Sequence, residues 1–248
     1  RISLDTYRAQ RRGGKGLTGM NTREEDFVER IFVTSTHNSL MFFTNTGKVF
    51  RLKTYELPEA GRTAKGTAIV NLLQLNQGEK VTAVMPVEDF NDDTKFVLMA
   101  TANGLIKKTA LSEYGNIRKS GIQAITLKDE DELIDVRLTD GSNDVIMVTH
   151  GGQSIRFKEE EVRPVGRTAM GVKGIELAKD DKVVGMEPLK EDNGYVLAIT
   201  ENGFGKRSEM DDYRCQGRAG KGVLTYKITS KTGNIVGVKL VNDDDEVM

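Results

Sequence analysis

The chain has no tryptophan, 2 histidines, 1 cysteine and only 4 prolines in 248 residues. A lone Cys215 excludes an internal disulfide framework and suits a reducing compartment. His37 and His150 stand apart, with no Cys or His at ligand spacing, so no metal site is expected. Long apolar runs are missing as well. The longest are pieces such as Leu40-Met41-Phe42-Phe43 and Val145-Ile146-Met147-Val148, too short for a membrane-spanning helix. The chain opens on Arg1-Ile2-Ser3-Leu4-Asp5, charged from the start, so no signal peptide is expected. No stretch keeps its apolar residues at helical spacing, so helices should be few. Nor does one charge sign dominate: 36 lysines and arginines meet 37 acidic residues, a net charge of −1. Taken alone, that balance argues against a nucleic-acid partner, whose usual footprint is a basic domain. What remains is 38% hydrophobic and 29% charged, which suits a soluble, folded, intracellular chain rather than a disordered one.

What is present is a repeat. Four segments share a β-rich apolar run, a turn ending in Gly, and a basic residue four places on. They are Phe43 to Arg51, Ala100 to Lys108, Val148 to Arg156 and Ile199 to Arg207. Their glycines, Gly47, Gly104, Gly152 and Gly203, are spaced by 57, 48 and 51 residues. Asn-Gly at 103–104 and 202–203 is a strong hairpin signal, because tight hairpin turns need positive φ. A second landmark follows each hairpin: Arg12 to Gly16, Arg62 to Gly66, Arg167 to Gly171 and Arg218 to Gly222, with a looser copy at Arg118-Lys119-Ser120-Gly121. Its closing glycines recur every 50 to 55 residues.

Two apolar runs complete each unit. One is Phe27–Ser35, Val81–Val87, Leu133–Thr139, Val183–Leu189 and Ile235–Val241. The other, after the closing loop, is Ala68–Leu75, Ile122–Leu127, Val172–Leu177 and Val223–Ile228. Four short strands per repeat of about 50 residues predict an all-β, propeller-like array of four-stranded blades. We read 1–248 as a single repeat domain, with units near 17–66, 67–121, 122–171 and 172–222. Residues 1–16 and 223–248 are partial terminal units. The ends either join to complete a blade or mark a cut array.

Charge follows the repeat. Segments holding the basic strand and closing loop (1–20, 47–66, 103–128, 151–174 and 203–231) carry net +4, +3, +4, +2 and +4. The segments between them (21–46, 67–102, 129–150, 175–202 and 232–248) carry −2, −3, −6, −4 and −3. In an array, equivalent positions fall on equivalent places, so the cations should form one band and the carboxylates should lie elsewhere. A like-charged band costs stability through self-repulsion, and its repetition points to a long polyanion. In the Arg-x-x-x-Gly loop, small residues would admit a phosphate to the backbone while Arg supplies a fork. The glycines also satisfy a plainer need for positive φ.

Several apparent motifs carry little. Gly14-Lys15-Gly16-Leu17-Thr18-Gly19 matches a dinucleotide pattern but lacks its βαβ setting. Gly61–Gly66 before Thr67 has no Lys after the second Gly, as a phosphate loop requires. Cys215 reads as an ordinary thiol, and Glu24-Glu25 and Asp211-Asp212 as surface turns. No nucleophile, base and oxyanion site assembles, so catalytic residues are not expected in this segment.

The string Gln10-Arg11-Arg12-Gly13-Gly14-Lys15-Gly16 resembles the gyrase box, the signature of the C-terminal domain of the A protein of DNA gyrase. Arg1 to Ala9, Ser35-Thr36-His37, Phe42 to Asn45, Gly61 to Gly66 and Gly203 to Arg207 are similar to that family too, so the likeness spans the chain. The related topoisomerase IV domain, the alternative, carries a degenerate or missing box. The resemblance implies a β-pinwheel, typically of six four-stranded blades, with strands exchanged between neighbours. It implies a basic rim that wraps duplex DNA without base specificity, letting the holoenzyme introduce negative supercoils. The expected partners are duplex DNA, the rest of the gyrase A protein and the gyrase B protein, two copies of each. The isolated domain is expected to be monomeric and away from membranes. It needs no cofactor of its own; ATP and Mg belong to other domains of this type II topoisomerase. Tyr7, Tyr55 and Tyr213 are not the family's active tyrosine, which belongs to a different domain.

The candidate DNA contacts are Arg11, Arg12, Lys15, Lys48, Arg51, Lys53, Arg62, Lys65, Lys107, Lys108, Arg118, Lys119, Arg156, Lys158, Arg167, Lys206, Arg207, Arg218 and Lys221. Those on strands depend on which face they occupy, because neighbours alternate. The competing function is a protein-interaction propeller, whose binding would be insensitive to salt.

Overall fold

The computed structural model describes residues 1–3, 31–61, 63–189, 194–243 and 245. The gyrase-box residues Gln10 to Gly16, and Arg62, lie outside these. In chain order the strands are β1 (Ser39–Thr44), β2 (Lys48–Lys53), β3 (Val81–Val87), β4 (Phe96–Thr101), β5 (Leu105–Ala110), β6 (Ile122–Gln123), β7 (Leu133–Thr139) and β8 (Asp144–Thr149). They continue with β9 (Gln153–Lys158), β10 (Val172–Lys173), β11 (Val183–Leu189), β12 (Tyr195–Thr200), β13 (Gly205–Glu209), β14 (Val223–Leu224) and β15 (Ile235–Val241). Among the described residues helix is confined to short 3-10 turns, as the missing helical periodicity predicts.

The strands form three four-stranded sheets, β3-β1-β2-β6, β7-β4-β5-β10 and β11-β8-β9-β14, and a three-stranded sheet, β15-β12-β13. Every sheet is built on one Gly-turn hairpin, and every pairing is antiparallel. No blade coincides with one sequence unit. The first takes its hairpin from unit 17–66, β3 from the next unit and β6 from the one after. The edge strands β3, β7, β11 and β15 pack against one another in succession and form the inner side of the array. The two-residue strands β6, β10 and β14 therefore lie at the outer edges.

The first hairpin strands of the three four-stranded sheets, β1, β4 and β8, are buried on both faces, which explains their unbroken apolar runs; β13 of the last hairpin is exposed but for Ser208. Val97 and Met99 of β4 enter one core with Met41, Phe43 and Met85 of the first sheet. Leu98 and Ala100 enter the next core with Val145, Met147 and Phe157 of the third. Ile146 and Val148 face a further core with Val196 and Val238. A strand of period two thus staples two cores, one on each side.

The runs after the closing loops were expected to be short strands over most of their six to eight residues. They pair for only two residues, at β6, β10 and β14, and Ile69–Asn71 is a 3-10 turn. The cause is a repeated interruption: the Gly47 carbonyl accepts both Ala124 N (2.7 Å) and Ile125 N (3.2 Å), so the ladder stops there. Gly104 does the same for Gly174 and Ile175, and Gly152 for Thr225 and Tyr226. Gly47 has φ +79°, and a Cβ there would stand 2.7 Å from the Ile125 carbonyl oxygen, so only glycine fits. Of the expected strand Phe27–Ser35, residues 27–30 lie outside the described set. Ile31 to Val33 form no strand and are exposed.

On the inner strands, Arg137, Glu187 and Lys239 make a charged chain across successive sheets. Arg137 Nη2 lies 2.9 Å from Glu187 Oε1, which also receives Lys239 Nζ at 3.0 Å, and Arg137 Nη1 reaches Asp135 Oδ1 at 2.7 Å.

Candidate nucleic-acid interface

The closing loops ending at Gly121, Gly171 and Gly222 stand at the outer edge because each leads straight into an outer strand, β6, β10 or β14. Neighbouring loops are joined by hydrogen bonds. Arg167 Nη1 donates to the carbonyl of Gln123, the last residue of β6. Arg218 Nη1 donates at 2.9 Å to the carbonyl of Lys173, the last residue of β10. Thr126 Oγ1 donates to the Thr168 carbonyl at 2.6 Å, and Glu176 N to the Gly220 carbonyl at 2.8 Å. The loops at 118–121, 167–171 and 218–222 are therefore links of one outer track.

Of the candidate contacts, Arg118, Lys119 and Lys221 are exposed on these loops, and Lys65 is exposed on the earlier closing loop, outside the hydrogen-bonded links. Arg167 and Arg218 are half-buried and spend donors on the track itself; Arg218 Nε also donates to the Glu161 carbonyl at 3.2 Å. Lys48 is half-buried opposite Gln123. Lys53 donates to the His37 carbonyl at 3.1 Å. Lys158 is exposed but salt-bridged to Asp144 at 2.7 Å. Lys206 donates to the Thr225 carbonyl at 3.1 Å. Arg207 pairs with Asp243 at 2.7 Å and lies 4.0 Å over the Tyr195 ring. Arg11, Arg12, Lys15 and Arg62 fall outside the described residues.

Four expected contacts are corrected by their surroundings. Lys107 is fully buried and donates to the Ala124 carbonyl at 2.5 Å and to the Arg167 carbonyl. Lys108 is 4% exposed and donates to the Glu159 carbonyl at 3.1 Å. Arg51 donates to Ser39 Oγ and the Gly115 carbonyl, with its guanidinium 4.6 Å from the centre of the Phe90 ring. Arg156 is spent on Asp144 and on the Met210 and Tyr213 carbonyls. Lys107 and Lys108 are buried beyond reach of a phosphate, whereas Arg51 and Arg156 are half-buried and have their guanidinium donors committed to protein acceptors.

Burial, aided by the Arg167 charge, pushes the Lys107 amine down to about 8 from 10.5. The native state then releases this proton more readily than the unfolded chain, so stability rises as pH climbs from about 8 toward 10.5. Between pH 7.5 and 9.5 the gain should be about 2 kcal/mol. Urea midpoints at the two pH values check this, with Lys107→Met expected to remove the gain.

The sequence reading missed Arg163, Lys173 and Arg214, all exposed. Pro164 bridges Lys108 and Cys215 bridges Arg156, which places Arg163 and Arg214 beside the outer hairpin strands. Each stands eight residues before its closing glycine, a positional coincidence that could have found them. The acidic segments are not simply elsewhere. Asp131 Oδ1 accepts Asn103 N at 2.9 Å, and Asp181 Oδ1 accepts Gly151 N at 2.8 Å, so each latches a hairpin turn. Of the set-aside residues, His150 Nε2 lies 3.3 Å from Glu201 Oε1, and Cys215 is an exposed free thiol.

Comparison with known proteins resolves the family. The family described as "DNA gyrase C-terminal domain, beta-propeller" matches residues 1–35, 38–88, 95–140, 143–190 and 194–242. The chain belongs to this family. The matched segments step with the same period as the hairpins. The DNA gyrase A protein of Clostridium acetobutylicum is 55% identical over 248 residues, all of this chain and 30% of that protein. A solved structure titled "Structure of DNA gyrase A C-terminal domain" is 27% identical, covering 98% of this chain and 79% of that one, with a TM-score of 0.76. The C-terminal domain of DNA topoisomerase IV is 31% identical, covering 84% of this chain and 65% of that one, with a TM-score of 0.77. The all-β pinwheel expectation stands. The chain spans 28–30% of the length of the full-length relatives it matches. Among the described residues no helix is long and apolar enough to cross a membrane.

Proposed function

We propose that this domain binds and wraps duplex DNA around its outer track, without reading bases. The observation that carries the reading is the hydrogen-bonded chain of closing loops, which lines up Arg118, Lys119, Arg163, Lys173, Arg214 and Lys221 at the outer edge. Bending 20–30 base pairs smoothly costs on the order of 1–6 kcal/mol, which released counterions offset. Among the described residues no element has the form of a groove-reading helix, so phosphates and DNA stiffness govern binding.

By its family the domain would act within a gyrase holoenzyme, with the rest of the gyrase A protein and the gyrase B protein. It would supply the wrap through which ATP-driven strand passage yields negative supercoils. ATP and Mg would be held elsewhere in that assembly, in the bacterial cytoplasm. The box residues Gln10 to Gly16 and Arg62 are proposed to extend the same contact surface.

A mobility-shift titration with random-sequence duplex at two salt concentrations tests the reading. A log–log slope of about −0.9 per phosphate contact is expected. Binding indifferent to salt would instead favour a protein-docking propeller.

A further inference from the structure

The basic residue four places after each hairpin glycine recurs in every repeat, yet in three of them the structure turns it inward. Arg51 Nε donates to Ser39 Oγ at 3.1 Å, and Nη1 to the Gly115 carbonyl at 2.9 Å. Lys108 Nζ lies 5.2 Å from the Phe96 ring centre and donates to the Glu159 carbonyl at 3.1 Å. Arg156 Nε donates to Asp144 Oδ2 at 2.8 Å, and Nη1 to the Met210 and Tyr213 carbonyls at 2.9 and 3.2 Å.

These partners are equivalent by position. Ser39, Phe96 and Asp144 each open the first strand of their own hairpin. Gly115, Glu159, Met210 and Tyr213 lie in or directly after the 3-10 turns Leu111–Tyr114, Glu159–Glu161 and Met210–Asp212 of the following unit. Each cation thus has one partner in its own sheet and another in the next. The Glu159 and Met210 carbonyls also accept Val162 N at 2.9 Å and Tyr213 N at 3.1 Å within their turns, so each takes the cation as a second donor on its remaining lone pair. Arg207 holds the same place in the fourth hairpin and stacks on Tyr195, the residue that opens β12. Its other partner is the exposed Asp243.

We infer that Arg51, Lys108 and Arg156 are inter-blade clamps that set the offset between successive sheets, and through it the pitch of the outer track. The closing loops ride on strands that these residues hold. A small rotation about the inner strands becomes a larger displacement at the rim, where the DNA path is laid. The inference rests on the wrapping proposal above. The clamps position the contacts and do not touch DNA.

The test uses the 248-residue chain. Two quantities are read: the salt slope on a duplex too short to bend, and the linking-number change when a nicked circle is resealed with the chain bound. Arg156→Met should leave the slope unchanged while cutting the linking-number change per chain about twofold or more. Arg156→Lys keeps the charge but not the planar fork, and should recover part of it. If Arg156→Met does not fold, Arg51→Met carries the same readouts. A slope lowered by about 0.9 makes the residue a phosphate contact and overturns the clamp. So does an unchanged linking number in a folded variant, which leaves wrapping itself standing. A wild-type chain that binds without changing linking number overturns the wrapping reading and the clamp together.

Discussion

Alanine placed together at Arg118, Lys119, Arg214 and Lys221 should strip duplex DNA from the rim and leave the fold intact. All four are exposed on the rim, where their side chains reach into solvent. Each phosphate contact contributes about 0.9 to the salt slope, so the quadruple variant should lose about 3.6 units. Near 0.1 M salt this weakens binding on the order of a thousandfold, because nearly all of the affinity is counterion release. Exchanging Arg for Lys and Lys for Arg at the same positions should retain the slope, since the effect depends on charge. Filter binding across a salt series measures both variants. A quadruple variant with an undiminished slope would place the DNA on another surface.

Glu159→Ala should be the most destabilising single change, at about 3–5 kcal/mol. Glu159 is fully buried and accepts Thr139 Oγ1 at 2.6 Å and Asn143 Nδ2 at 3.0 Å. It also lies 3.9 Å from Lys108 Nζ, whose amine burial already pushes down. Removing the carboxylate leaves the buried Lys108 ammonium with a backbone carbonyl but no counter-charge and the Thr139 hydroxyl without its acceptor, while Asn143 Nδ2 keeps only Asp140 Oδ1. Urea unfolding gives the loss directly. Adding Lys108→Met should recover part of it, because the double variant no longer buries an unpaired charge. A Glu159→Ala midpoint within experimental error of wild type would mean that the pair contributes nothing.

Much of this molecule can be read from the chain alone, and the particulars show why. The hairpins at Gly47, Gly104, Gly152 and Gly203 and the closing loops are local devices, so turn chemistry marks them in the sequence. The donated strands were legible only as apolar runs. Their length was overread, because a distant hairpin carbonyl ends the ladder after two residues. The track was legible where cations sit in loops, as at Lys119 and Lys221. On strands it was misread: Lys107 and Lys108 are adjacent, point to opposite faces, and are both buried. Alternation normally sends one neighbour outward, but a strand packed between two sheets has no outward face.

The sequence by itself determined the period, the turn positions, the all-β class and the alternation of charge, since each depends on residues close along the chain. Only the tertiary structure decided which cations face solvent and which are spent between blades. That choice depends on carbonyls and carboxylates some 12 to 60 residues away, brought near only when strands pair and successive sheets pack.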